Sequence, residues 1–295
     1  MKTAFICNPS AGWKKKLPLL VRHIQTHAPS NHEIFFVDRA LADSMERHLA
    51  KIFSLRFSRI VVAGGDGTLN RVVNALRSRG RLGSYEIGVI PVGTCNDFAR
   101  HLGYRKTNIA AAVKTASTRD AEPIRIARVE DRAFVNNAGF GKRNPEEKRK
   151  GPIAVIKEMK PVDIRAEWDG GRLEGQFYMM LCANAPYFSG GLHFSKRSDP
   201  SDDLLEFYFV RKTPKIELAL RLLFGRARLP LHLPRLLGNT VRVQARELKL
   251  HTSEPVAIVA DGEPVEGLSA ARDVEFAIAD ACRFILPRPR RSRPP

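Results

Sequence analysis

Apolar and polar positions follow two different rhythms in the two halves of the chain. In the first 120 residues, short β-branched apolar runs alternate with stretches whose apolar residues recur at helical spacing. Strands that alternate with helices indicate a mostly parallel sheet with helices on both faces. The pattern predicts strands at Thr3–Cys7, Glu33–Val37, Ile60–Ala63 and Tyr85–Ile90, and helices at about Leu17–His27, Leu41–Phe53 and Thr68–Arg79.

Beyond about residue 120, apolar runs follow one another with turn-length gaps, which predicts an antiparallel sandwich with few helices. We therefore predict an α/β domain over residues 1–120, a β-rich domain over 121–286 whose end is free to pack back on the first, and a disordered basic tail over 287–295. Basic amphipathic helices are predicted at about Pro152–Lys160 and Pro214–Phe224. The predicted strands are Ile124–Val129, Ala133–Asn137, Asp163–Trp168, Gly175–Cys182, Leu204–Val210, Thr240–Leu250, Val256–Ala260 and Val274–Ile278.

Charge narrows the choice of partners. The 49 Lys and Arg residues outnumber the 31 Asp and Glu residues, which gives a net charge of +18 that attracts polyanions. Between Arg211 and Arg246, basic residues alternate with leucines rather than with stacking aromatics, which favours an anionic membrane surface over nucleic acid. The plainer alternative is a solvated basic face. No apolar run has the length of a membrane span and no secretory segment follows Met1, so we expect a cytoplasmic protein, peripheral at the inner face of the membrane.

Candidate chemistry begins where the third predicted strand ends, in Gly64-Gly65-Asp66-Gly67-Thr68. The glycines are expected to adopt positive φ and to let a ligand approach main-chain N–H groups, while the following helix N-terminus favours negative charge. Thr68 is expected to cap that helix. Asp66 has the wrong sign for a bare phosphate and is interpreted as facing a cation or a proton, so a magnesium nucleotide suits the turn. The alternative is a plain tight turn after the strand, with Asp66 as a helix-capping residue.

Three other turns carry candidate residues. Asn8–Gly12 and Gly93–Asp97 follow predicted parallel strands, at the edge where ligands bind in such sheets. Taken alone, Asp97 is typical of a helix cap and Asp261-Gly262 of a two-residue hairpin turn. Neither a G-x-G-x-x-G fingerprint nor a P-loop is present. The cysteines lack C-x-x-C spacing and are expected to be buried apolar residues; they are Cys7, Cys95, Cys182 and Cys282.

Taken together, these motifs resemble the diacylglycerol kinase catalytic-domain family of lipid kinases, which includes bacterial soluble diacylglycerol kinases and their sphingosine and ceramide kinase relatives. The resemblance rests on Asp66 in Gly-Gly-Asp-Gly-Thr, Asp97 in Gly-Thr-Cys-Asn-Asp-Phe-Ala-Arg and Asp261 in Asp-Gly-Glu. Phe134–Gly141 and Ser189–Phe194 also resemble family segments, so nearly the whole chain is covered. It implies an ATP-dependent kinase that phosphorylates a hydroxyl of a diacylglycerol-like or sphingoid-like membrane lipid.

The resemblance also implies a role for each matched residue. Asp66 and Asp97 would belong to the catalytic network that holds Mg²⁺ against the phosphates, Asp261 would be the general base, and Glu263 would support it. An accessory Mg²⁺ site is matched only at Asp202, which leaves that site open. Phosphoryl transfer itself demands positioning, charge neutralisation and a proton acceptor. The implied nucleotide contacts are Asn8, Ser10, Gly12, Gly64, Gly65, Gly67, Thr68, Gly93, Thr94 and Asn96.

Two alternative functions stay open. NAD kinases share the Gly-Gly-Asp-Gly-Thr turn, although Gly93–Phe98 favours the lipid branch. A non-catalytic basic protein could bind anionic membrane or RNA through Arg211–Arg246 and the tail, but the carboxylates of Asp66, Asp97 and Asp261 argue against it. The expected partners are a membrane lipid substrate and an anionic membrane surface, with no nucleic acid. The identity of the lipid and the formation of a homodimer are left open.

Overall fold

The computed structural model describes residues 2–11, 17–37, 42–105, 108–141, 159–188, 190–193, 195, 197–215 and 240–287. These residues form two compact units. Unit 1 holds the chain through Arg125, the turn Gly190-Gly191 and the chain from Asp280 onward; unit 2 holds the rest. The boundary predicted between residues 120 and 121 lies at the start of the strand in which the units divide. Nearly all of the two predicted basic helices, the tail from 288 and Gly12 lie outside the described residues.

Strands and helices alternate in unit 1, as the apolar pattern predicts. The short helix α4 and the helix α5 add to the predicted set. The elements are β1 (Thr3–Cys7), α1 (Leu17–His27), β2 (His32–Phe36), α2 (Ala42–Ser54), β3 (Arg59–Gly64), α3 (Asp66–Arg77), β4 (Glu86–Pro91), α4 (Asp97–His101) and α5 (Ile109–Thr118).

In unit 1, strands β2, β1, β3 and β4 pair in parallel in that order, and the end of β17 (Ala271–Ile285) pairs in parallel with β4 through Arg283 and Phe284. Every residue of β3 is buried, which explains why its sequence is a continuous apolar run rather than an alternating one. Because β1, β3 and β4 are neighbours and parallel, their carboxyl ends lie side by side at one edge. The three predicted turns follow these strands.

Unit 2 is antiparallel and includes the end of β5 and most of β17. The long strand β9 pairs with β8 along its first half and lies between β7 and β12 along its second half. Its strands are β5 (Ala121–Val129), β6 (Arg132–Phe134), β7 (Asn137–Phe140), β8 (Val162–Trp168), β9 (Gly171–Ala183), β10 (Tyr187–Phe188), β11 (Leu192–His193), β12 (Leu205–Arg211), β13 (Thr240–Ala245), β14 (Glu247–Val256), β15 (Val259–Ala260), β16 (Glu263–Pro264) and β17.

Three of the strands predicted in unit 2 are interrupted, and one of them, Val256–Ala260, is divided by Ala257 and Ile258 between the end of β14 and β15. The other two divide as follows. The run Thr240–Leu250 divides at Arg246 into β13, which pairs with β12, and β14, which pairs with β8 and β17. The run Ala133–Asn137 divides between β6 and β7, because the backbone N–H groups of Val135 and Asn136 bond to a side chain instead of a neighbouring strand. In both places a change of hydrogen-bonding partner ends the strand, although the apolar pattern continues.

Phenylalanine dominates the core of unit 2. Phe177 packs edge-on against Phe209 with ring centroids 5.7 Å apart, and Phe207 packs against Phe276 at 6.2 Å. All four rings are fully buried. Full burial of a large apolar side chain contributes about 1.5–3 kcal/mol to folding, so these rings hold β9, β12 and β17 together.

Candidate functional site

The turns after β1 and β3 are joined by hydrogen bonds at the carboxyl edge of the unit 1 sheet. Asn8 N donates to Ala63 O at 3.0 Å, and Asn8 Nδ2 donates to Thr68 Oγ1 at 2.9 Å. Asn8 Oδ1 accepts from Ser10 N at 2.9 Å, which closes a tight turn. The side chains of Asn8 and Thr68, both among the residues that the resemblance assigns to nucleotide binding, therefore fix the first turn to the start of α3.

The glycines of the site allow two turns to approach each other. Gly65 and Gly93 pack backbone against backbone: a Cβ on Gly65 would lie 3.1 Å from Gly93 Cα, and a Cβ on Gly93 would overlap Gly65. A Cβ on Gly64 would lie 2.6 Å from Thr68 Cβ. The expectation of positive φ around Asp66 was wrong, since the positive-φ glycines of the described chain lie elsewhere and Gly65 has φ −99°. Space, not backbone handedness, requires glycine here.

Helix α3 begins directly at the glycine turn. Its N-cap is Gly65, without a side-chain cap, and its first intrahelical bonds run from Thr68 N and Leu69 N to Gly65 O. The prediction that Thr68 caps the helix was wrong, because Thr68 lies inside α3 rather than at its N-cap, and its Oγ1 accepts from Asn8 instead. The first N–H groups of a helix have no intrahelical partner and carry its positive dipole end. The start of α3 at this sheet edge is thus suited to a phosphate.

Asp66 connects the second turn to the third. Its carboxylate accepts the backbone N–H groups of Asp97 and Phe98, both at 3.0 Å. These are the first amides of α4, so Asp66 caps α4 from the neighbouring loop rather than its own helix. The alternative interpretation of Asp66 as a helix-capping residue is thus confirmed, with α4 as the helix that it caps.

Asp97 lies directly beside Asp66 and is only 4% exposed. Its Oδ1 accepts from Arg100 Nη1 at 2.8 Å and its Oδ2 from Gly190 N at 2.9 Å. Burial raises the pKa of Asp97 above the usual aspartate range; the Gly190 N–H opposes this shift and the neighbouring Asp66 charge adds to it. The charges of the two adjacent carboxylates repel each other, so a bound cation would stabilise both in the ionised form.

The Gly93–Asp97 turn is held by Asn96, which adopts a left-handed backbone with φ 55°. Asn96 Oδ1 accepts from Gly93 N at 2.9 Å and Asn96 Nδ2 donates to Gly93 O at 2.8 Å. The Asn96 side chain therefore shapes the turn from within. Thr94, by contrast, is exposed at its tip. Of the nucleotide contacts implied by the resemblance, all but Gly12 fall within the described chain, and they gather at this one edge of unit 1.

Asp261 and Glu263 belong to unit 2. Asp261-Gly262 forms the two-residue turn between β15 and β16, with φ values of 48° and 87°, so the hairpin interpretation is confirmed. The Asp261 carboxylate accepts three backbone N–H groups, from Val135, Asn136 and Asn137, at 2.8, 2.8 and 3.1 Å. Glu263 is exposed at the start of β16.

Asp202, the residue implied for an accessory metal site, is hydrogen-bonded to neighbours within its own turn. Asp202 Oδ1 accepts from Leu204 N at 3.0 Å, and Asp202 N donates to Asp199 O at 3.0 Å. Within the described residues, no three His, Cys, Asp or Glu side chains are grouped closely enough to hold a metal ion by themselves. The pair Asp66 and Asp97 still fits Mg²⁺, because that ion is usually held by one or two carboxylates together with substrate phosphates and water.

Two contributors to the site were not identified from the sequence. Arg100 pairs with Asp97, and its guanidinium lies where a Cβ on Gly191 would be. The Gly190-Gly191 turn, with φ values of 92° and 104°, is far from the Gly93–Asp97 turn in sequence. Arg100 is the last residue of the matched motif and could have been found there; the glycine pair lies in the segment Ser189–Phe194 that resembles the family, but nothing in that segment indicated its contact with Asp97.

A parallel sheet that gathers glycine turns, a helix N-terminus and paired carboxylates at one edge has the parts that a nucleotide-dependent phosphotransferase requires. Residues 2–129 match the model of the diacylglycerol kinase catalytic domain, and residues 137–278 match that of the YegS C-terminal NAD kinase beta sandwich-like domain. The chain belongs to the diacylglycerol kinase family of lipid kinases.

Individual relatives agree with this assignment. The chain is 30% identical over 235 residues to the diacylglycerol kinase of Bacillus subtilis (strain 168), covering 73% of this chain and 75% of the relative. It is 30% identical over 252 residues to a Pseudomonas aeruginosa (strain UCBPP-PA14) protein named "Probable lipid kinase YegS-like", covering 78% and 77%. A diacylglycerol kinase crystal structure from Bacillus anthracis str. Sterne shares the fold, with a TM-score of 0.73 at 21% identity over 97% of this chain and 96% of that one.

Proposed function

We propose that the protein transfers the γ-phosphoryl group of ATP to a hydroxyl of a membrane lipid, either diacylglycerol-like or sphingoid-like. The observation that carries the proposal is the junction at Asp66, whose carboxylate binds the Asp97 and Phe98 amides. This junction brings the Gly-Gly-Asp-Gly-Thr and Gly-Thr-Cys-Asn-Asp turns into one cradle beside the start of α3. Such a cradle supplies the positioning and charge control on which phosphoryl transfer depends.

ATP use follows from the kinase family, and the cradle supports it. The N-terminus of α3 and the main chain of Gly64–Gly67 would face the phosphates, while Asn8 and Asn96 hold the turns in shape. Mg²⁺ would be held by the phosphates together with Asp66 and Asp97, and when bound it would neutralise charge that develops in transfer. The two carboxylates fit this role because Mg²⁺ takes oxygen ligands and is commonly held by one or two carboxylates beside substrate phosphates.

The lipid as acceptor is proposed from the names of the relatives and from charge. The Bacillus subtilis relative is named a diacylglycerol kinase, and the net charge of +18 would draw this chain to an anionic membrane surface. No helix within the described ranges is long and apolar enough to cross a bilayer. From the charge, we propose peripheral association with the membrane, through basic segments that include Arg211–Arg246. The sandwich match concerns fold and gives no separate support to an NAD kinase.

The direct test measures ATP consumption by the purified chain with mixed lipid micelles and, in parallel, with NAD as the acceptor. We expect turnover that depends on lipid and on Mg²⁺, with a phosphorylated lipid identified by mass spectrometry from a total lipid extract. NAD-dependent turnover without lipid phosphorylation would overturn the proposal. Asp280→Asn is the control for substitution of Asp66, because Asp280 is an exposed carboxylate of unit 1 that pairs with Arg77 away from the cradle.

A further inference from the structure

Helix α4, which carries Asp97, is too short to hold its position by itself. It has five residues, Asp97–His101, and isolated helices shorter than about 12–15 residues are marginal in water. Asp66 binds the first two amides of α4 from one side. A second contact comes from Phe98, whose side chain is fully buried. The position of Asp97 in the cradle therefore depends on the side chain against which Phe98 packs.

The ring of Phe98 packs edge-on against Phe284, near the end of β17. The ring centroids lie 5.0 Å apart with an interplanar angle of 66°, and both side chains are fully buried. Aromatic rings prefer such edge-to-face contacts, which add to the stabilisation that burial alone provides. The contact joins α4 to a strand that is remote in sequence but belongs to the same unit.

Phe284 is itself held firmly by the strand in which it lies. Arg283 Nη2 pairs with Glu86 Oε1 of β4 at 3.2 Å, and Glu86 pairs in turn with the buried Arg59 of β3. Phe284 lies opposite Ile87 in the parallel register. Neighbouring side chains of a strand point to opposite faces, so the Arg283 ion pair and the Phe284 ring lie on different faces. The strand thus offers Phe98 a fixed surface to pack against.

A hydrogen bond joins the segment after α4 to the same strand. Tyr104 Oη donates to Ile285 O at 2.8 Å, and Tyr104 N donates to Ala99 O at 2.9 Å. Tyr104 is only 5% exposed, and burial raises the pKa of its phenol, so the hydroxyl remains a donor at neutral pH. The end of β17 therefore supports α4 near its first residue and just beyond its last one.

We infer that the end of β17 positions the cradle, with Phe284 as the positioning residue: it acts through Phe98 to hold α4, and with it the Asp97 carboxylate, in place. The inference rests on the proposed function, because it gives Phe284 a part in the binding of ATP and Mg²⁺. When part of a buried ring is removed, the packed neighbours fill the space only partly. A displacement of α4 by about 1 Å would misplace the Asp97 carboxylate, and errors of that size can cost about 100-fold in rate.

The chain contains a matched control for Phe284 in the same unit. Phe35 lies in β2, at the other end of the unit 1 strand order from β17, and is 3% exposed. Its ring also makes an edge-on contact with another phenylalanine, Phe57, at 5.8 Å. Phe284→Leu and Phe35→Leu each remove one buried ring and one aromatic contact. The two variants therefore differ in whether α4 loses its support.

The first experiment measures hydrogen exchange of the peptide that contains residues 97–102, and the binding of ATP with Mg²⁺ by calorimetry. We expect Phe284→Leu to speed exchange of this peptide about tenfold or more and to weaken nucleotide binding about tenfold or more. Phe35→Leu should change neither, although both variants should unfold at a lower temperature than the wild type. Unchanged nucleotide binding in Phe284→Leu, or an equal loss in both variants, would overturn the inference.

A second pair of variants tests the same support even if Phe284→Leu is recovered unfolded. Tyr104→Phe removes the hydrogen bond to Ile285 O and keeps the ring. Its control is Tyr178→Phe in unit 2, because Tyr178 is also 5% exposed and its Oη donates to Thr213 O at 3.0 Å.

We expect Tyr104→Phe to speed exchange of residues 97–102 and to weaken nucleotide binding, each about threefold, because a single hydrogen bond contributes less than a packed ring. Tyr178→Phe should change neither. Wild-type nucleotide binding in Tyr104→Phe would overturn the inference. If the wild type binds no ATP, the proposed function fails, while the exchange comparison still tests whether β17 supports α4.

Discussion

Asp66, Asp97 and Asp261 share one property at the scale of the residue: each accepts backbone N–H groups from a distant part of its own unit. Asp66 binds two amides of α4, Asp97 binds the amide of Gly190, and Asp261 binds three in succession. A carboxylate that satisfies several buried amides stabilises the loops that it joins as well as serving a ligand. Substitution of these residues should therefore change local structure together with activity.

Asp66→Asn tests this dual role in unit 1. An asparagine offers one acceptor oxygen in place of two, so one amide of Asp97 or Phe98 would lose its partner, at a cost of about 1–3 kcal/mol in the free energy of unfolding. We expect kcat/KM for lipid phosphorylation to fall roughly 100-fold or more. Urea unfolding and initial rates measure the two effects. Asp280→Asn should change stability by less than about 1 kcal/mol, because its ion pair is exposed; normal stability in Asp66→Asn would contradict the capping role.

Cys95 offers a chemical probe of the cradle. It is partly exposed between Thr94 and Asn96, while the other three cysteines are buried. The thiolate is the reactive form, and burial raises the pKa of Cys7 to about 12 and also raises the pKa of Cys282, so these groups stay protonated at pH 8. We expect a maleimide to label one thiol per folded chain, none in Cys95→Ser, and more slowly with ATP and Mg²⁺. Rapid labelling of a second thiol, or no protection by nucleotide, would count against the cradle.

At the scale of the element, the glycine turns after β3 and β4 contact each other through the backbones of Gly65 and Gly93. Gly93→Ala would place a Cβ on the Gly65 backbone, which cannot move aside as a flexible side chain can. We expect a loss of about 1–3 kcal/mol in the free energy of unfolding, measured in urea, and weaker ATP binding. The control is Gly83→Ala, whose Cβ would meet nothing closer than 3.9 Å. Equal stability of the two variants would show that the turns tolerate separation.

The elements also show what a sequence can predict. Strands β1, β3 and β4 were readable because they are short, mainly apolar runs followed by stretches of helical spacing, and the site edge followed from the carboxyl ends of those strands. The break between β6 and β7 was not readable, because the acceptor for Val135 N and Asn136 N lies 125 residues or more along the chain, at Asp261. The motifs identified the site carboxylates, but no local pattern encodes which distant amides they bind.

At the scale of the whole molecule, the net charge of +18 leads to a prediction about membranes. Binding to vesicles rich in anionic lipid should weaken as salt rises, since charges are screened beyond about 10 Å at roughly 0.1 M ionic strength. Sedimentation of the protein with anionic and with zwitterionic vesicles at several salt concentrations measures this. Strong binding to both vesicle types, indifferent to salt, would mean that apolar contacts rather than charge hold the protein at the bilayer.

The division of the chain also limits how this enzyme can be engineered. Unit 1 includes Gly190 and Gly191, which are flanked on both sides by unit 2, and it regains the chain at Asp280. A fragment that stops at Arg125 would lack the amide bound by Asp97 and the final strand beside β4. A chimera that takes unit 2 from a relative would therefore have to keep the Gly190-Gly191 turn and the C-terminal strand of this chain. A single cut in the chain cannot separate an intact unit 1.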